Sequence, residues 1–512
     1  MTPHYDVAVV GCGPVGAYAA NVLGRAGLRT LVLERDATPY ALPRAVHLDH
    51  EMVRLLADIG VWDDIKDRML AADGHLHIGA DGGVIRYLSA KGKPRPFGHA
   101  NDYFFYQPEL EEVLRAGLSR LDTVTLRLGV EVADLNQTAE RATLTLSDGE
   151  TVTADWVIGC DGARSAVRKG AGIRLDDLDF EEPWLVVDAE VDGPIAFPDF
   201  TGVPEGANLQ RLSVMLCDPG RPATIVPGRG THRRWEFMLL PGESDAEMAR
   251  PERVGELVAP WVGDAPCKII RAATYRFHGL VAEHWRKGRV FLAGDAAHQT
   301  PPFFGQGMCH GLRDAANLGW KLSLVQRGLA EARLLDTYQP ERDAQVRHVI
   351  SRAVEVGRTI CILDPEMAAE RDKDVRAQQR SGMKTAAELI APIDSAIVAK
   401  DAGERFINPA LRDGFLDDAT GGGWVLLTKG APTLDLRADA VLDTLGATRL
   451  DIATLDEPGG HLAEWFTGRG VTAALIRPDF YLAAAGDGAA ISHDIRGMAE
   501  AMGLARTPSL TT

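Results

Sequence analysis

The chain has 512 residues, of which 46% are apolar and 25% charged, an ordinary composition for a globular protein with large cores. Its net charge of −17 disfavours nucleic acid and anionic membrane as partners, because both repel an acidic surface. No apolar run approaches the ~18 residues of a membrane span. The first predicted strand begins near Tyr5, which leaves no room for a signal peptide.

The six cysteines are scattered, with no C-x-x-C pair and no metal-ligand spacing. Cys12, Cys160 and Cys217 lie beside or within apolar strand-like segments, which is typical of reduced thiols in a protein core. We therefore expect a cytoplasmic protein without a metal site.

The first 36 residues predict a nucleotide-binding unit. Residues 7–10 form an apolar strand that leads into the turn Gly11-Cys-Gly13-Pro-Val-Gly16 and an alanine-rich helix. Gly11 permits the tight turn, Gly13 lets the backbone approach a pyrophosphate, and Gly16 lets helix and strand pack closely. Glu34 ends the next strand, where its carboxylate can accept a hydrogen bond from a ribose 2′-OH. The unit predicts FAD or NAD rather than NADP.

The middle of the chain changes to β character. Residues 73–103 have short strand-like runs, and residues 178–276 contain further strands separated by Gly/Pro turns, at 184–191, 211–217, 223–226 and 234–240. We interpret the second segment as an antiparallel sheet inserted into the nucleotide-binding domain. A buried strand at 289–293 and a long helix over 307–326 then restore the α/β pattern.

Two more units follow toward the C-terminus. Residues 342–401 are charged and helical in pattern, which predicts long connecting helices. From Gly421 a small unit alternates strands at 424–427, 449–452, 473–476 and 480–484 with helices at 438–445 and 462–466. Its order resembles a thioredoxin-like domain, but residues 421–512 contain no cysteine. Thiol chemistry is therefore excluded there, and we expect a role in packing or assembly.

Two further motifs each follow a predicted buried strand. Residues 159–168 read GCDGARSAVR and residues 294–308 read GDAAHQTPPFFGQGM. Each places an aspartate, Asp161 or Asp295, at the carboxyl end of a strand, where open α/β sheets bind ligands. Residues 305–307 open the long helix, whose N–H groups and dipole would stabilise negative charge on a reduced flavin. The three motifs together favour FAD.

These motifs resemble those of the single-component (class A) flavin-dependent aromatic hydroxylases over about residues 4–345. GCGPVG with Glu34 resembles their FAD fingerprint, CDGARSAVR their DG motif and GDAAHQTPP their GD motif. The cysteine-free tail is similar to that of the 3-(3-hydroxyphenyl)propionate hydroxylase branch, as are the segments PRAVHLDHE, CDPGRP, RRWEFMLLPGE and GQGMCHGLRDAANLGWKL. Many members have Asn where Cys309 stands, a departure also seen in this branch.

The resemblance implies an α/β fold with three parts: a Rossmann-like, glutathione-reductase-type FAD-binding domain, an inserted antiparallel-sheet substrate domain, and a C-terminal thioredoxin-like domain. The implied FAD-binding domain covers 1–177 and 278–350, with strands in 73–103 contributing to the substrate region. The substrate sheet covers 178–277, connecting helices cover 351–420, and the C-terminal domain covers 421–512.

The resemblance also assigns FAD contacts by motif. Arg44 is expected near the pyrophosphate and Gln107 near the ribityl chain. The full expected set is Gly11, Gly13, Pro14, Val15, Gly16, Glu34, Arg35, Arg44, Gln107, Val130, Asp161, Gly162, Gly294, Asp295, Pro302, Gly305, Gly307 and Met308. His298 is either a hydrogen-bonded structural side chain or a participant, and His47 and His310 receive no role.

The implied activity is hydroxylation of a phenolic ring through a C4a-hydroperoxyflavin, with NADH or NADPH as reductant and O₂ as co-substrate. The branch implies a 3-(3-hydroxyphenyl)propionate-like acid as the small aromatic substrate. Two alternatives stay open: a larger polyketide- or antibiotic-type aromatic, and a flavoprotein without turnover that acts as a binding module. A homo-oligomer is also left open.

Four residues are candidates for the substrate pocket. Arg221 is expected either to bind a substrate carboxylate or to be a solvated turn residue. Trp235 and Phe237 are expected to line the pocket or to pack in the core, and Pro302 is expected near the substrate ring.

Overall fold

A computed structural model describes residues 2–381 and 389–504; the parts of the predicted connecting and C-terminal segments at 382–388 and 505–512 lie outside the described residues. The first strand, His4–Val10, lies inside an eight-stranded N-terminal sheet, paired in parallel with Thr30–Glu34 and Thr151–Gly159. The order across the sheet is Arg286–Lys287, Val290–Leu292, Thr151–Gly159, His4–Val10, Thr30–Glu34 and Val124–Leu128, and the hairpin Val132–Gln137 and Ala142–Leu146 extends it.

The register of this sheet brings the three sequence motifs to one edge. Val10 lies opposite Gly159, and Gly159 lies opposite Leu292, so these parallel strands end side by side. The chain leaves the strands at this edge into the turns that carry the glycine-rich, DG and GD motifs. A ligand crevice is therefore expected beyond these strand ends.

The middle sheet also has eight strands and is antiparallel except for one parallel pair, Gly74–Ile78 with Leu212–Leu216. Its order is His298–Gln299, Cys267–Ala282, Leu175–Val191, His232–Met238, Ala223–Pro227, Leu212–Leu216, Gly74–Ile78 and Val84–Ser89. The long strand Cys267–Ala282 was not predicted, because few of its side chains are fully buried and its sequence lacks a sustained apolar alternation. A small sheet of Leu70–Ala71, Asp102–Phe104 and His47–Asp49 also forms.

The longest buried helix is Gly307–Gln326, whose bounds agree with the prediction. The other described α-helices are Pro14–Arg25, His50–Asp58, Trp62–Ile65, Gln107–Leu118, Ala166–Gly170, Asp245–Met248, Pro251–Val262, Tyr338–Ile360, Pro365–Ser381, Leu416–Thr420, Leu436–Leu445, His461–Arg469 and Gly488–Met502. The prediction of helix was wrong for residues 391–401, which form turns and bends. Within the described ranges, no helix has the length and apolarity required to cross a membrane.

The C-terminal sheet has four strands in the order Thr448–Asp451, Val425–Thr428, Ala473–Ile476 and Leu482–Gly486. The helix Gly488–Met502, which was not predicted, packs on it through Ile491, Ile495 and Met498. Residues before the predicted boundary at Gly421 also contact this unit. Arg405 forms an antiparallel β-bridge with Tyr481, and the Phe406 N–H donates a hydrogen bond to the Phe480 carbonyl. A two-stranded sheet, Ala410–Leu411 with Gly414–Phe415, lies between these parts of the chain.

Asp58 ends the helix His50–Asp58 and is half-buried near the segment that leads into the C-terminal sheet. Burial, and then the charge of Asp417, raises the pKa of Asp58 from 3.8 to about 6. Because the folded-state pKa lies above the unfolded value, stability falls as the pH rises from about 4 to about 6. Asp58→Asn should therefore raise the free energy of unfolding at pH 7 by ~1–3 kcal/mol, at 1.36 kcal/mol per pKa unit.

Urea unfolding of both proteins at pH 7 and pH 4 checks this prediction, since the difference should shrink at the lower pH. Equal stability of the two proteins at pH 7 would contradict it.

Candidate active site

A cavity of about 1920 Å³ lies beyond the strand ends of the N-terminal sheet and reaches the middle sheet. Sixteen of the eighteen expected FAD contacts line it, all except Gly16 and Gly294. These two residues act as spacers. A Cβ at Gly16 would lie 1.9 Å from the Gly11 carbonyl oxygen, and one at Gly294 would lie 3.0 Å from Val15 Cγ2. Side chains there would push the motif loops out of place.

The glycine-rich turn has the close backbone packing that a dinucleotide requires. Gly11 has a φ of 98°, and a Cβ there would lie 2.5 Å from the Cys160 carbonyl oxygen. The Cys12 N–H donates to Glu34 Oε2 at 2.7 Å. Glu34 therefore braces the turn with one oxygen while it lines the cavity.

Two arginines provide positive charge beside this turn. Arg44 Nη2 lies 4.0 Å from the Cβ position of Gly13. Arg115 was not predicted; its Nη2 donates to the Cys12 carbonyl at 2.9 Å, while its Nε and Nη1 are buried without a hydrogen-bond partner among the described residues. Its Nη2 also lies 3.8 Å from Glu111 Oε2. Buried N–H groups without acceptors are costly, and a pyrophosphate is an anion that would satisfy those at Nε and Nη1. The residues present therefore fit FAD.

Gln107 positions Arg44. Its amide oxygen accepts hydrogen bonds from the backbone N–H groups of Arg44 at 3.0 Å and Ala45 at 2.6 Å. On the other side, Arg234 donates to the Arg44 carbonyl at 2.6 Å and to buried Asp188 at 2.8 Å. The middle sheet therefore holds the loop that carries Arg44 over the glycine-rich turn.

Hydrogen bonds hold the DG motif in place and connect it to the GD motif. Asp161 accepts from Ser165 Oγ at 2.5 Å and from the Val167 N–H at 3.0 Å, which holds the start of the helix Ala166–Gly170. Arg168 donates to the Ala296 carbonyl at 2.9 Å and so ties this motif to the GD motif. The structural role of Asp161 explains why a carboxylate is needed at this position.

The GD motif places one carboxylate toward the ligand. Asp295 is open to the cavity, and enclosure by the surrounding walls raises its pKa. His298 instead is fully buried and hydrogen-bonds Asp314 at 2.6 Å, which is a structural role.

A buried network supports the start of the helix Gly307–Gln326. Arg313 donates to Gln306 Oε1 at 2.9 Å, to Asp49 at 2.6 Å and to Glu51 at 2.8 Å. Glu51 also accepts from Tyr481 at 3.2 Å, a residue of the C-terminal unit. This unit is thereby connected to the helix N-terminus that lines the cavity at Gly305 and Gly307.

A second group of polar side chains lines the cavity next to Gly305. His47 Nε2 lies 2.8 Å from Asp102 Oδ1, and His75 Nε2 lies 3.9 Å from Asp102 Oδ2. Burial alone would lower the pKa of His47, but the hydrogen bond and charge of Asp102 raise it overall. The sequence signal that could have indicated this site is the alternation in Gly74–Ile78, which places His75 and His77 on the same face.

The far wall of the cavity is formed by the middle sheet and adjacent loops. Trp184, Phe277 and Phe303 make an aromatic surface with ring centroids 5.9–6.4 Å apart. Arg86 also lines the cavity, with its Nε buried and without a hydrogen-bond partner among the described residues. Burial lowers the pKa of its guanidinium, which still remains a cation.

Three of the pocket candidates do not line the cavity, and for Trp235 and Phe237 the structure shows the alternative of core packing. Arg221 pairs with Glu243 at 2.5 Å and does not line the cavity. Trp235 and Phe237 are buried in the core on the other side of the sheet, because successive side chains of a strand point to opposite faces. Arg234 and Glu236 of the same strand line the cavity instead, as does Pro302. Burial raises the pKa of the Glu236 carboxyl.

Comparison with known proteins agrees with this geometry. Residues 4–353 match the family described as FAD binding domain, and residues 403–501 match the HcaD C-terminal domain. The fold is similar to that of the flavin-dependent monooxygenase PieE in complex with FAD and substrate, with a TM-score of 0.79, 24% identity, and coverage of 98% of this chain and 100% of that chain. OxyS, an anhydrotetracycline hydroxylase from Streptomyces rimosus, gives a TM-score of 0.77 at 25% identity, with coverage of 98% and 99%.

Two relatives are similar over nearly their whole length. A probable NADH-specific resorcinol 4-hydroxylase of Rhodococcus jostii (strain RHA1) is 33% identical over 498 residues, which cover 93% of this chain and 91% of the relative. A 3-(3-hydroxy-phenyl)propionate/3-hydroxycinnamic acid hydroxylase of Burkholderia cenocepacia (strain HI2424) is 31% identical over 538 residues, which cover 95% of each chain. The chain therefore belongs to the family of class A FAD-dependent aromatic hydroxylases and is a flavin-dependent monooxygenase.

Proposed function

We propose that the enzyme uses NADH and O₂ to hydroxylate a phenol that carries a carboxylate side chain, a 3-(3-hydroxyphenyl)propionate-like acid. The carboxylate of the proposed substrate is supported by Arg86. This residue lines the cavity, and its buried Nε has no hydrogen-bond partner among the described residues. A carboxylate would supply that partner with a charge-assisted hydrogen bond. The NADH preference rests on the name of the resorcinol 4-hydroxylase relative.

When bound, FAD supplies the redox and oxygen-transfer chemistry. Arg44 and Arg115 would hold its pyrophosphate, and Asp295 would accept hydrogen bonds from its polyol. The helix N-terminus after Gly305 would stabilise negative charge on its ring. The aromatic wall that includes Trp184 would exclude water and orient the substrate ring.

The finer architecture is part of the same proposal. The N-terminal sheet is proposed as a Rossmann-like, glutathione-reductase-type FAD-binding domain, the middle sheet as an inserted substrate domain, and the C-terminal sheet as a thioredoxin-like domain without cysteine. We propose the cytoplasm as the location, which accords with six free cysteines. Sedimentation of the purified enzyme will determine whether it is a homo-oligomer.

A neutral dihydroxybenzene is the second candidate substrate, favoured by the similarity to the resorcinol 4-hydroxylase. A larger polycyclic aromatic is a third, favoured by the extent of the cavity, which reaches beyond the expected FAD contacts to Arg371 and Gln379.

The experiment is NADH and NADPH oxidation by the FAD-loaded enzyme across acidic phenols, dihydroxybenzenes and polycyclic phenols, with products identified by mass. Strong stimulation by 3-(3-hydroxyphenyl)propionate with a product one oxygen heavier supports the proposal. Stimulation by resorcinol alone would instead identify a neutral dihydroxybenzene as the substrate, and stimulation by polycyclic phenols alone would identify a larger aromatic. If no phenol stimulates oxidation, the proposal of a phenol as substrate is overturned, and the alternative of a binding module without turnover gains support.

Arg86→Met tests the carboxylate contact. Loss of a charge-assisted hydrogen bond of ~1.5–3 kcal/mol should raise KM for the acidic phenol by about 10- to 150-fold. KM for a neutral dihydroxybenzene should change less than about threefold, because that substrate has no charge to lose. Steady-state kinetics with both substrates measures this difference in KM. An equal change in KM for both substrates would show that Arg86 does not bind the substrate carboxylate.

A further inference from the structure

Asp102 lies between two histidines on the cavity wall, each from a different strand. His47 belongs to His47–Asp49, Asp102 to Asp102–Phe104, and His75 to Gly74–Ile78 at the edge of the middle sheet. One nitrogen or oxygen atom from each of the three side chains lies within 4.8 Å of the corresponding atoms of the other two. The three strands thus bring together an acid and two bases that are far apart in sequence.

The hydrogen bonds of His47 define its charge. Its Nε2 faces the Asp102 carboxylate at 2.8 Å and its Nδ1 faces the Gly305 carbonyl oxygen at 3.4 Å. Both neighbours are acceptors, so both ring nitrogens must carry a proton for both contacts to be hydrogen bonds. A doubly protonated His47 would donate to both acceptors and neutralise Asp102, and the side chain lies against Gly305, two residues before the helix Gly307–Gln326.

His75 differs from His47 in its access to ligands. About a third of its side chain is exposed, against a tenth for His47, and it lines the cavity. Its Nε2 faces Asp102 at 3.9 Å, and among the described residues Nδ1 has no acidic partner. Nδ1 can therefore accept a proton from a bound ligand, and the resulting imidazolium would face the Asp102 carboxylate.

We propose that His75, supported by the Asp102–His47 pair, is the group that takes the proton of the substrate hydroxyl. The phenol O–H bond breaks, its electron pair stays on oxygen, and the proton forms an N–H bond on His75 Nδ1. No electron acceptor is needed, and the cluster gains one positive charge as the substrate gains one negative charge. The inference rests on the proposed function, since it assigns a residue to the activation of its phenol.

Other charged groups around the cluster have partners or point elsewhere. Asp49 lies opposite Asp102 in the strand pair, but its carboxylate is held by Arg313 at 2.6 Å. His50 is buried, and burial lowers the pKa of its imidazole. His77 follows on the same strand face; burial and then Arg86, which lies opposite it, lower its pKa to about 3. His77 is therefore a histidine in the same cavity that lacks a carboxylate partner.

The test uses the FAD-loaded enzyme and 4-nitrophenol, whose neutral and ionised forms have different visible spectra. The ionisation of the bound probe is read against pH without any turnover. In the wild type, binding should increase the acid dissociation constant of the probe at least tenfold. His75→Gln should abolish that increase, and Asp102→Asn should reduce it to about threefold or less. His77→Gln is the matched control and should retain the wild-type increase.

FAD content and near-ultraviolet circular dichroism establish that each variant is folded. Because His75 is partly exposed, His75→Gln should fold and can be measured even if Asp102→Asn is unstable. A wild type that does not bind the probe, or binds it without increased ionisation, overturns the inference. Full ionisation in His75→Gln also overturns it. Increased ionisation of the bound probe without hydroxylation of any phenol would contradict only the proposed function. Hydroxylation of a phenol without increased ionisation of the bound probe would contradict only this inference.

Discussion

Gly16→Ala is expected to abolish stable FAD binding. The new Cβ would lie 1.9 Å from the Gly11 carbonyl oxygen and 3.2 Å from Cys160 Cβ. The first contact is with backbone, so a side-chain rotation cannot relieve it, and the helix Pro14–Arg25 must shift away from the turn. Overpacking of this kind costs about 1–3 kcal/mol or more. The shift also moves the N–H groups of the helix start away from the pyrophosphate, and we expect an affinity loss of at least ~100-fold, or ~2.7 kcal/mol.

The measurement is the flavin-to-protein ratio after gel filtration, followed by the Kd from quenching of flavin fluorescence on titration into apoprotein. Gly497→Ala is the matched control, because Gly497 lies inside the helix Gly488–Met502 and its Cβ would meet nothing within 4 Å. Since alanine is the better helix former, this control should be neutral or more stable by up to ~1 kcal/mol. Full FAD occupancy of Gly16→Ala would show that the turn does not bind the cofactor as we infer.

Arg313→Met should have the largest effect on stability. Arg313 is 2% exposed and neutralises Asp49 and Glu51, which are 8% and 2% exposed. Methionine fills much of the volume but leaves Asp49 without its cation, and removal of one partner of a buried ion pair costs ~3–5 kcal/mol. Gln306, which accepts from Arg313 at 2.9 Å, would lose its support at the helix start, so FAD affinity should fall as well.

Urea unfolding at pH 7 measures this loss, and Arg120→Met is its control. Arg120 pairs with Asp64 at 2.6 Å, as closely as Arg313 pairs with Asp49, but the side chains of Arg120 and Asp64 are both exposed. Exposed pairs contribute ~0–1 kcal/mol, so this control should change stability by less than ~1 kcal/mol. Similar losses in the two variants would show that the buried network has no special role.

The effect of Arg313 should also depend on pH in a defined direction. Burial alone would raise the pKa of Asp49, but the Arg313 cation outweighs it and lowers the pKa below the ordinary 3.8. The stabilisation is therefore fully present above pH 3.8 and is lost as the pH falls below that value. The difference between wild type and Arg313→Met should accordingly be constant from pH 6 to 8 and should shrink in acid.

The network around Arg313 also gives a physical role to the C-terminal unit. Tyr481 and Arg405 contact Glu51, at 3.2 Å and 3.1 Å, and Glu51 binds Arg313. Residues 421–512 contain no cysteine, which excludes thiol chemistry there. The contacts of Tyr481 and Arg405 with Glu51 agree with the expected role in packing. It contributes to the site by buttressing the helix whose start lines the cavity.

Local sequence pattern predicted the cofactor half of this protein. Gly11, Gly16, Asp161 and Asp295 follow strands, and the ends of parallel strands must meet at one edge, so local pattern was enough to bring these motifs to one edge of the sheet. The spacing of glycines is a short-range requirement that is visible in a few consecutive residues. The helix Gly307–Gln326 was likewise predictable because nearly all of its length is buried against neighbours.

The residues of the substrate half became apparent only from the folded chain. Which face of a strand meets the cavity cannot be read from a strand that is buried on both faces, so the sequence left Trp235 and Phe237 open between cavity and core and did not indicate Arg234 and Glu236. The ion pair of Arg221 with Glu243 was neither of the two roles expected for Arg221, because Glu243 becomes its neighbour only through a turn. His47, His75 and Asp102 meet across three strands; the alternation in Gly74–Ile78 could have placed His75 on the face it shares with His77, but no local pattern pairs it with His47 or Asp102.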